Sequence, residues 1–169
     1  MAADVLSLED LAPRLGPRQR LMGADLGSKT IGLALSDVER RIATPLTTIR
    51  RTKFAKDAAA LAALMNEFDA AALVIGLPLN MDGSEGPAAQ SARAFARNFA
   101  PLSRRPCVFW DERLSTAAVT RSLIDQDVSR AKRKEAVDRM AAAYILQGAL
   151  DRLRAYGAGA REEKPGGSV

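Results

Sequence analysis

The sequence predicts an α/β fold: a five-stranded mixed sheet flanked by helices. Residues 20–26, 31–36 and 42–49 are apolar segments separated by short turns, a pattern typical of an antiparallel meander. Two later runs, 71–76 and 106–110, are short and almost continuously apolar, as is typical of strands covered on both faces. Hairpin-type strands followed by alternating helices and strands predict a single mixed sheet with helices on its faces.

Helical patterns fill the intervals between these strands. Residues 53–68 carry apolar side chains at helical spacing, and a proline suits the first turn of a helix over 87–100. Further helices are expected over 116–123 and from about 134 to 154. Gly, Pro, Asn and Asp in 77–86 predict a loop. The resulting order, β-β-β-α-β-α-β-α-α, is that of a ribonuclease H-like fold.

The chain of 169 residues has room for one domain, expected over residues 20–155. Residues 1–19 contain scattered Pro and Gly and predict a poorly ordered lead-in. Residues 156–169 are rich in Gly, Glu and Lys and predict a disordered tail. No apolar run approaches the roughly 20 residues that span a bilayer, and no signal peptide is evident.

The absence of histidine limits the kinds of catalytic and metal-binding site that this chain can form. It excludes Ser-His and Cys-His catalysis and imidazole zinc sites. A lone cysteine, Cys107, allows no internal disulfide and suits a reducing cytoplasm. Any metal must be a hard cation held by oxygen, such as Mg²⁺ or Mn²⁺. The net charge of +5 is compatible with a polyanionic partner, although charge alone is weak support.

Asp25 places a carboxylate inside an otherwise apolar strand. Burying a carboxylate is costly unless a cation or several hydrogen-bond donors receive it. Gly27 and Gly32 follow, where the backbone can turn tightly or approach a ligand closely. Taken alone, Asp25 is equally explained as a metal ligand or as a turn residue satisfied by backbone amides.

Two further acidic positions interrupt apolar patterns. Asp111 and Glu112 end a predicted strand, and adjacent strand residues face opposite sides, so only one of them is expected to share a site with Asp25. Asp138 lies on the face of the last helix that carries small apolar residues, Ala141 and Ile145 among them, and this face should pack on the sheet. Singly, each has a structural explanation: a strand-end charge cluster, or a favourable interaction with the helix dipole.

Together these acids indicate phosphodiester hydrolysis. That reaction requires an activated water and stabilisation of a departing alkoxide, and one or two magnesium ions can supply both. Clustered carboxylates are the hard ligands that such ions need, and no histidine is required.

Four segments together resemble one known family, the YqgF family of Holliday-junction-resolvase-like proteins, also described as pre-16S ribosomal RNA nucleases. The segments are Gly23-Ala-Asp-Leu-Gly-Ser-Lys-Thr-Ile-Gly-Leu-Ala-Leu-Ser-Asp37, Val74-Ile-Gly-Leu-Pro-Leu-Asn-Met-Asp-Gly-Ser84, Asp111-Glu-Arg-Leu-Ser-Thr116, and Val137-Asp138 with Ala141-Ala-Ala-Tyr-Ile-Leu-Gln147. The resemblance runs from about residue 21 to residue 153. It implies a ribonuclease H-like fold, a cytoplasmic location and a role in maturing the 5′ end of small-subunit ribosomal RNA.

By match to these motifs, Asp25, Glu112 and Asp138 take the positions of the family's acidic triad, catalytic and metal-binding. One position departs from the pattern: Thr30 stands where the family usually has a basic residue, most often Arg. Lys29 beside it could supply that charge to a phosphate, and the departure leaves the triad unchanged.

The predicted loop and the residue after Glu112 offer substrate-binding candidates. Asn80 and Ser84 could contact nucleic acid if this loop borders the site. The alternative is that the loop is an ordinary surface connection between a strand and a helix. Arg113 could bind a phosphate bidentately or could only pair with Asp111.

The leading hypothesis is therefore a metal-dependent endonuclease acting on structured RNA, most simply a ribosomal RNA precursor, with a homodimer left open. Three alternatives remain: a resolvase of DNA four-way junctions, a non-catalytic RNA-binding assembly or transcription factor, and a sugar-kinase or actin-like ATPase. The last needs two such domains around a nucleotide, and this chain has room for one.

Overall fold

The computed structural model describes residues 4–114 and 131–162. The helix predicted over 116–123 lies outside these ranges. A mixed sheet of six strands runs through the described part, in the order β1-β6-β5-β2-β3-β4. The strands are β1 (Val5–Leu6), β2 (Arg20–Leu26), β3 (Thr30–Ser36), β4 (Ala43–Arg50), β5 (Ala70–Leu77) and β6 (Cys107–Asp111).

The predicted meander and the two buried strands are present. Strands β2, β3 and β4 pair antiparallel, and β5 and β6 continue the sheet from β2 in parallel. A parallel neighbour on β2 needs a crossover, and helix α2 (Phe54–Glu67) supplies it. Helix α3 (Pro87–Ser103) crosses from β5 to β6 and begins at the expected proline.

The sixth strand corrects the predicted count of five. Val5 pairs in parallel with Cys107 at the edge of the sheet, and the Cys107 amide donates to the carbonyl of Asp4 at 3.1 Å. A short helix, α1 (Leu8–Leu11), follows, and Leu8 and Leu11 are buried. The start of the expected poorly ordered lead-in thus contains ordered elements. A two-residue strand has no alternation to detect, so the pattern was invisible in the sequence.

The last helix is longer than expected. Helix α4 spans Ala131–Glu162, whereas the sequence predicted an end near residue 154, and residues 163–169 lie outside the described ranges. Glycines at 157 and 159 suggested an end, but the alanines, arginine and glutamates around them are strong helix formers. None of the helices within the described residues is long and apolar enough to cross a membrane.

Two apolar layers cover the two faces of the sheet. Helices α2 and α3 pack on one face, where Leu61, Phe95 and Phe99 join side chains of the central strands. Helices α1 and α4 cover the other face, where Ile145 and Leu146 are fully buried. Because β2 and β5 are buried on both faces, a polar side chain within them needs a particular explanation.

The reactivity of the single cysteine tests the packing of β6 between the two apolar layers. Cys107 is fully buried in β6, and burial raises the pKa of its thiol to about 12. The reactive form of a thiol is the thiolate, so we expect essentially no reaction with a thiol reagent in the native protein at pH 7.5. After denaturation in urea, one thiol per chain should react. Rapid labelling of the native protein would contradict this packing of β6.

Candidate active site

Asp25 lies near the carboxyl end of β2 and faces helix α4. Successive strand residues alternate between faces, so Asp25 shares its face with Leu21 and Gly23. Leu21 belongs to the apolar layer beneath α4, and a Cβ on Gly23 would lie 2.7 Å from Cβ of Leu146 in that helix. Asp25 itself is only 4% exposed. A carboxylate therefore sits between the sheet and its covering helix.

The two acids that follow β6 have different surroundings. Asp111 ends the strand and pairs with Arg113, whereas Glu112 begins a 3-10 turn, Glu112–Leu114, and is buried. A Cβ on Gly76 of β5 would lie 2.6 Å from Glu112 Oε1, which places this carboxylate directly over the end of the neighbouring strand. Glu112, and not Asp111, thus lies on the face that Asp25 occupies.

Asp138 approaches the same end of the sheet from helix α4. It is buried, and Ala141, Ala142 and Ile145, its neighbours on the same helix face, all belong to the apolar layer on the sheet. The helical spacing predicted this arrangement, because side chains three, four and seven residues apart share a face. Small alanines let the helix lie close to the strands.

Two glycines make the space that brings the acids together. Gly32 is the β3 partner of Asp25, and a Cβ there would lie 2.2 Å from the carbonyl oxygen of Asp138. Gly76 in β5 likewise leaves room for a neighbour, because a Cβ there would clash with the carboxylate of Glu112. Gly32 thus allows the helix backbone to lie close to the sheet. Its position in the sequence had instead suggested the close approach of a ligand.

The donor chemistry of the site fits a hard divalent cation. Asp25, Glu112 and Asp138 present carboxylate oxygens, the ligands that Mg²⁺ and Mn²⁺ prefer. In the positions shown, no group of three or more Asp, Glu, Cys or His side chains within residues 4–114 and 131–162 could hold one ion together. Mg²⁺ commonly keeps several waters and takes only one or two protein carboxylates, so these residues still fit such an ion.

The turn between β2 and β3 adds a contact that the sequence did not reveal. Thr30 is buried, and its hydroxyl donates a short hydrogen bond to Oδ2 of Asp138. The Gly27 amide donates to the Thr30 carbonyl at 2.9 Å, and Arg51 Nη1 donates to the Gly27 carbonyl at 2.7 Å. Lys29 is exposed at the tip of this turn. Arg51 is therefore a basic side chain that hydrogen-bonds to this turn, and it was not among the predicted site residues.

The predicted loop 77–86 is compact and held by its own polar side chains. The Asn80 side-chain amide donates to the Ser84 hydroxyl at 2.9 Å, and that hydroxyl donates to Asp82 Oδ1 at 2.6 Å. The hydrogen bonds that Asp82 accepts from the Ser84 hydroxyl and from the Ser84 backbone amide lower the pKa of Asp82. Asn80 and Ser84 are exposed at the surface, and they shape the loop in addition to any contact they make with a substrate.

Arg113 links this loop to the end of β6. Its Nε and Nη2 donate to the carboxylate of Asp111, with an Nη2–Oδ2 distance of 2.7 Å, and Nη1 donates to the Met81 carbonyl at 3.4 Å. The guanidinium lowers the pKa of Asp111, and the carboxylate raises the pKa of Arg113. Pairing with Asp111 was one of the two expected roles of Arg113. Contact with a phosphate stays a prediction.

Fold and site together define a class: an α/β protein with a mixed sheet in the ribonuclease H-like order and buried carboxylates at the end of the sheet where β2 and β6 finish beneath α4. A solved structure described as T. thermophilus RuvC in complex with a Holliday junction substrate has this fold. It matches with a TM-score of 0.50 over 83% of this chain and 96% of that one, at 14% identity. The predicted ribonuclease H-like fold is thereby confirmed.

Sequence comparisons identify the family. Proteins named "Putative pre-16S rRNA nuclease" are similar over nearly the whole chain. The one from Methylocella silvestris is 71% identical over 91% of this chain and 96% of its own length, and the one from Beijerinckia indica is 70% identical over 90% and 93%. The family model RuvX, described as Holliday junction resolvase, matches residues 19–152. The chain belongs to the RuvX family, which confirms the resemblance seen in its motifs and the expectation of a nuclease, a hydrolase.

Proposed function

We propose that this protein is a metal-dependent endonuclease that processes the 5′ end of a small-subunit ribosomal RNA precursor in the cytoplasm. The observation that supports the proposal is that Asp25, Glu112 and Asp138 are all buried and lie at the same end of the sheet. The names of relatives that are 71% and 70% identical support the substrate. Cleavage of RNA requires no histidine when carboxylates hold a divalent ion.

The positions of the three acids assign them different roles in binding the metal ion and the water. Asp25 lies at the end of β2 and Glu112 in the turn after β6, with β5 between the two strands. These two carboxylates would anchor Mg²⁺ or Mn²⁺, and Asp138 would complete the ligand set or orient the attacking water. When bound, such an ion supplies an activated water and stabilises the departing alkoxide. Burial of the carboxylates excludes bulk water and strengthens their attraction for a cation.

The rim of the site supplies groups that suit a phosphodiester backbone. Lys29 and Arg51 lie at the β2–β3 turn on one side, and the loop with Asn80 and Ser84 lies on the other, held by Arg113. We propose that Lys29, Asn80, Ser84 and Arg113 contact the substrate. The homodimer that the sequence left open stays untested.

A second candidate is cleavage of DNA four-way junctions, favoured by the family description Holliday junction resolvase. The carboxylates cannot distinguish the two substrates, because metal-assisted hydrolysis of the phosphodiester is similar in both. Discrimination must come from contacts to the ribose 2′-hydroxyl, which only RNA carries.

The deciding experiment compares matched substrates. Purified protein, with Mg²⁺ or Mn²⁺ and with EDTA as control, is given a labelled pre-16S RNA segment and RNA and DNA junctions of the same sequence. Metal-dependent cleavage of the RNA precursor supports the proposal, and exclusive cleavage of the DNA junction supports the second candidate. Glu112→Gln, purified identically, controls for contaminating nuclease. Binding of RNA without cleavage, whichever divalent ion is present, would overturn both candidate functions and favour a non-catalytic RNA-binding factor.

A further inference from the structure

We propose that Thr30 is a positioning residue of the site: its hydroxyl holds the carboxylate of Asp138 in the orientation that the metal or the attacking water requires. This inference rests on the proposed function, because it assumes that Asp138 belongs to the catalytic set. Thr30 itself touches neither metal nor substrate in this account.

The first step is the direction of the hydrogen bond between the two side chains. Thr30 Oγ1 and Asp138 Oδ2 are in contact, and both residues are buried. An ionised carboxylate can only accept, so the threonine proton lies on this bond. Hydrogen bonds to a charged acceptor are about twice as strong as neutral ones, and a buried one resists competition from water. The bond therefore fixes one oxygen of Asp138.

The second step is the rigidity of the donor. Thr30 is β-branched, which restricts its χ1 angle, and its backbone pairs with Arg50 of β4. The amide of Gly27 donates to its carbonyl, and the guanidinium of Arg51 holds the Gly27 carbonyl in turn. The hydroxyl is thus held on a turn that backbone hydrogen bonds and the Arg51 guanidinium fix in place.

The third step concerns the second carboxylate oxygen of Asp138, Oδ1. Gly32 lies two residues after Thr30 on the same strand face and lets the backbone of α4 rest at Asp138. With Oδ2 held by Thr30, Oδ1 is the oxygen assigned to the metal ion or to the attacking water.

The test uses Thr30→Val, which removes the hydroxyl at nearly constant shape, and Thr30→Ser, which restores it. Mn²⁺ binding is measured by titration calorimetry, and cleavage of the RNA precursor is measured against metal concentration. Loss of a group that orients a metal ligand typically costs about 10–100-fold in metal affinity or activity. We expect such a loss in Thr30→Val, and values within about threefold of wild type in Thr30→Ser.

A matched control is available on the neighbouring strand. The Thr48 hydroxyl in β4 also reaches helix α4, but its hydrogen bond goes to a backbone carbonyl, that of Glu135 at 3.4 Å, and not to a carboxylate of the site. Thr48→Val should bind Mn²⁺ and cleave as wild type does. Equal losses in Thr30→Val and Thr48→Val would show a general packing effect and overturn the inference.

Asp138→Asn separates this inference from the proposed function. If Asp138→Asn is inactive while Thr30→Val binds metal and cleaves as wild type does, the proposed function stands and the positioning role is wrong. If Asp138→Asn cleaves normally, the proposed role of Asp138 fails and the inference fails with it. Thr30→Ser impaired as strongly as Thr30→Val would also contradict a role for the hydroxyl.

Discussion

Replacing Asp25 with Asn should abolish metal-dependent cleavage while leaving the fold intact. Asn has nearly the same shape but no charge, so the site loses one anionic metal ligand without a cavity. Transition-state charge stabilisation by a bound metal amounts to several kcal/mol, and each 1.36 kcal/mol is a factor of ten in rate. We therefore expect the rate of RNA cleavage to fall by about 1,000-fold or more, with an unchanged circular dichroism spectrum.

Asp57 provides a matched control, since it is also a buried carboxylate at 4% exposure but lies in α2, which packs on the face of the sheet opposite α4. It accepts hydrogen bonds from the amide and hydroxyl of Thr52 at 3.0 and 3.1 Å. Asp57→Asn should lower the free energy of unfolding by about 1 kcal/mol and leave the specific activity unchanged. Full cleavage by Asp25→Asn in a nuclease-free preparation would rule out the proposed mechanism.

Local periodicity was enough to single out candidate acids for the site, but not to choose among all of them. The choice of Glu112 over Asp111 came from the match to family motifs, because the alternation of strand residues predicted only that one of the two shares a site with Asp25. Alternation and the 3.6-residue period, which placed Asp138 on the face of α4 that packs on the sheet, are local patterns. Each of these inferences needs only neighbours within a few residues, which is the range over which a sequence pattern carries structural information.

The contacts that refine the site were not predictable in the same way. Thr30 and Asp138 are 108 residues apart, and their hydrogen bond exists only because α4 crosses the sheet at Gly32. A family comparison drew attention to Thr30 as a missing basic residue, whereas in the structure it is a buried donor. Tertiary packing decides such a role, and a single sequence does not contain the packing.

Gly32→Ala should destabilise the protein and impair the site together. A Cβ at this position would lie 2.2 Å from the carbonyl oxygen of Asp138 and 2.9 Å from the amide nitrogen of Arg139, both backbone atoms of α4. No rotamer change can relieve a clash with backbone, so the helix must move away from the sheet. Overpacking typically costs about 1–3 kcal/mol and occasionally more, and we expect about 3 kcal/mol by urea denaturation.

Movement of α4 also carries Asp138 away from Thr30 and from Asp25, so cleavage should fall even where the variant remains fully folded. Gly157→Ala is the matched control in the same helix, since a Cβ there would meet nothing within 4 Å. Alanine is favoured over glycine in a helix by about 1 kcal/mol, so this variant should be as stable as wild type or more stable, and fully active. A Gly32→Ala protein with normal stability and activity would mean that α4 does not rest on β3 at this point, and the arrangement of Asp138 over the sheet would have to be abandoned.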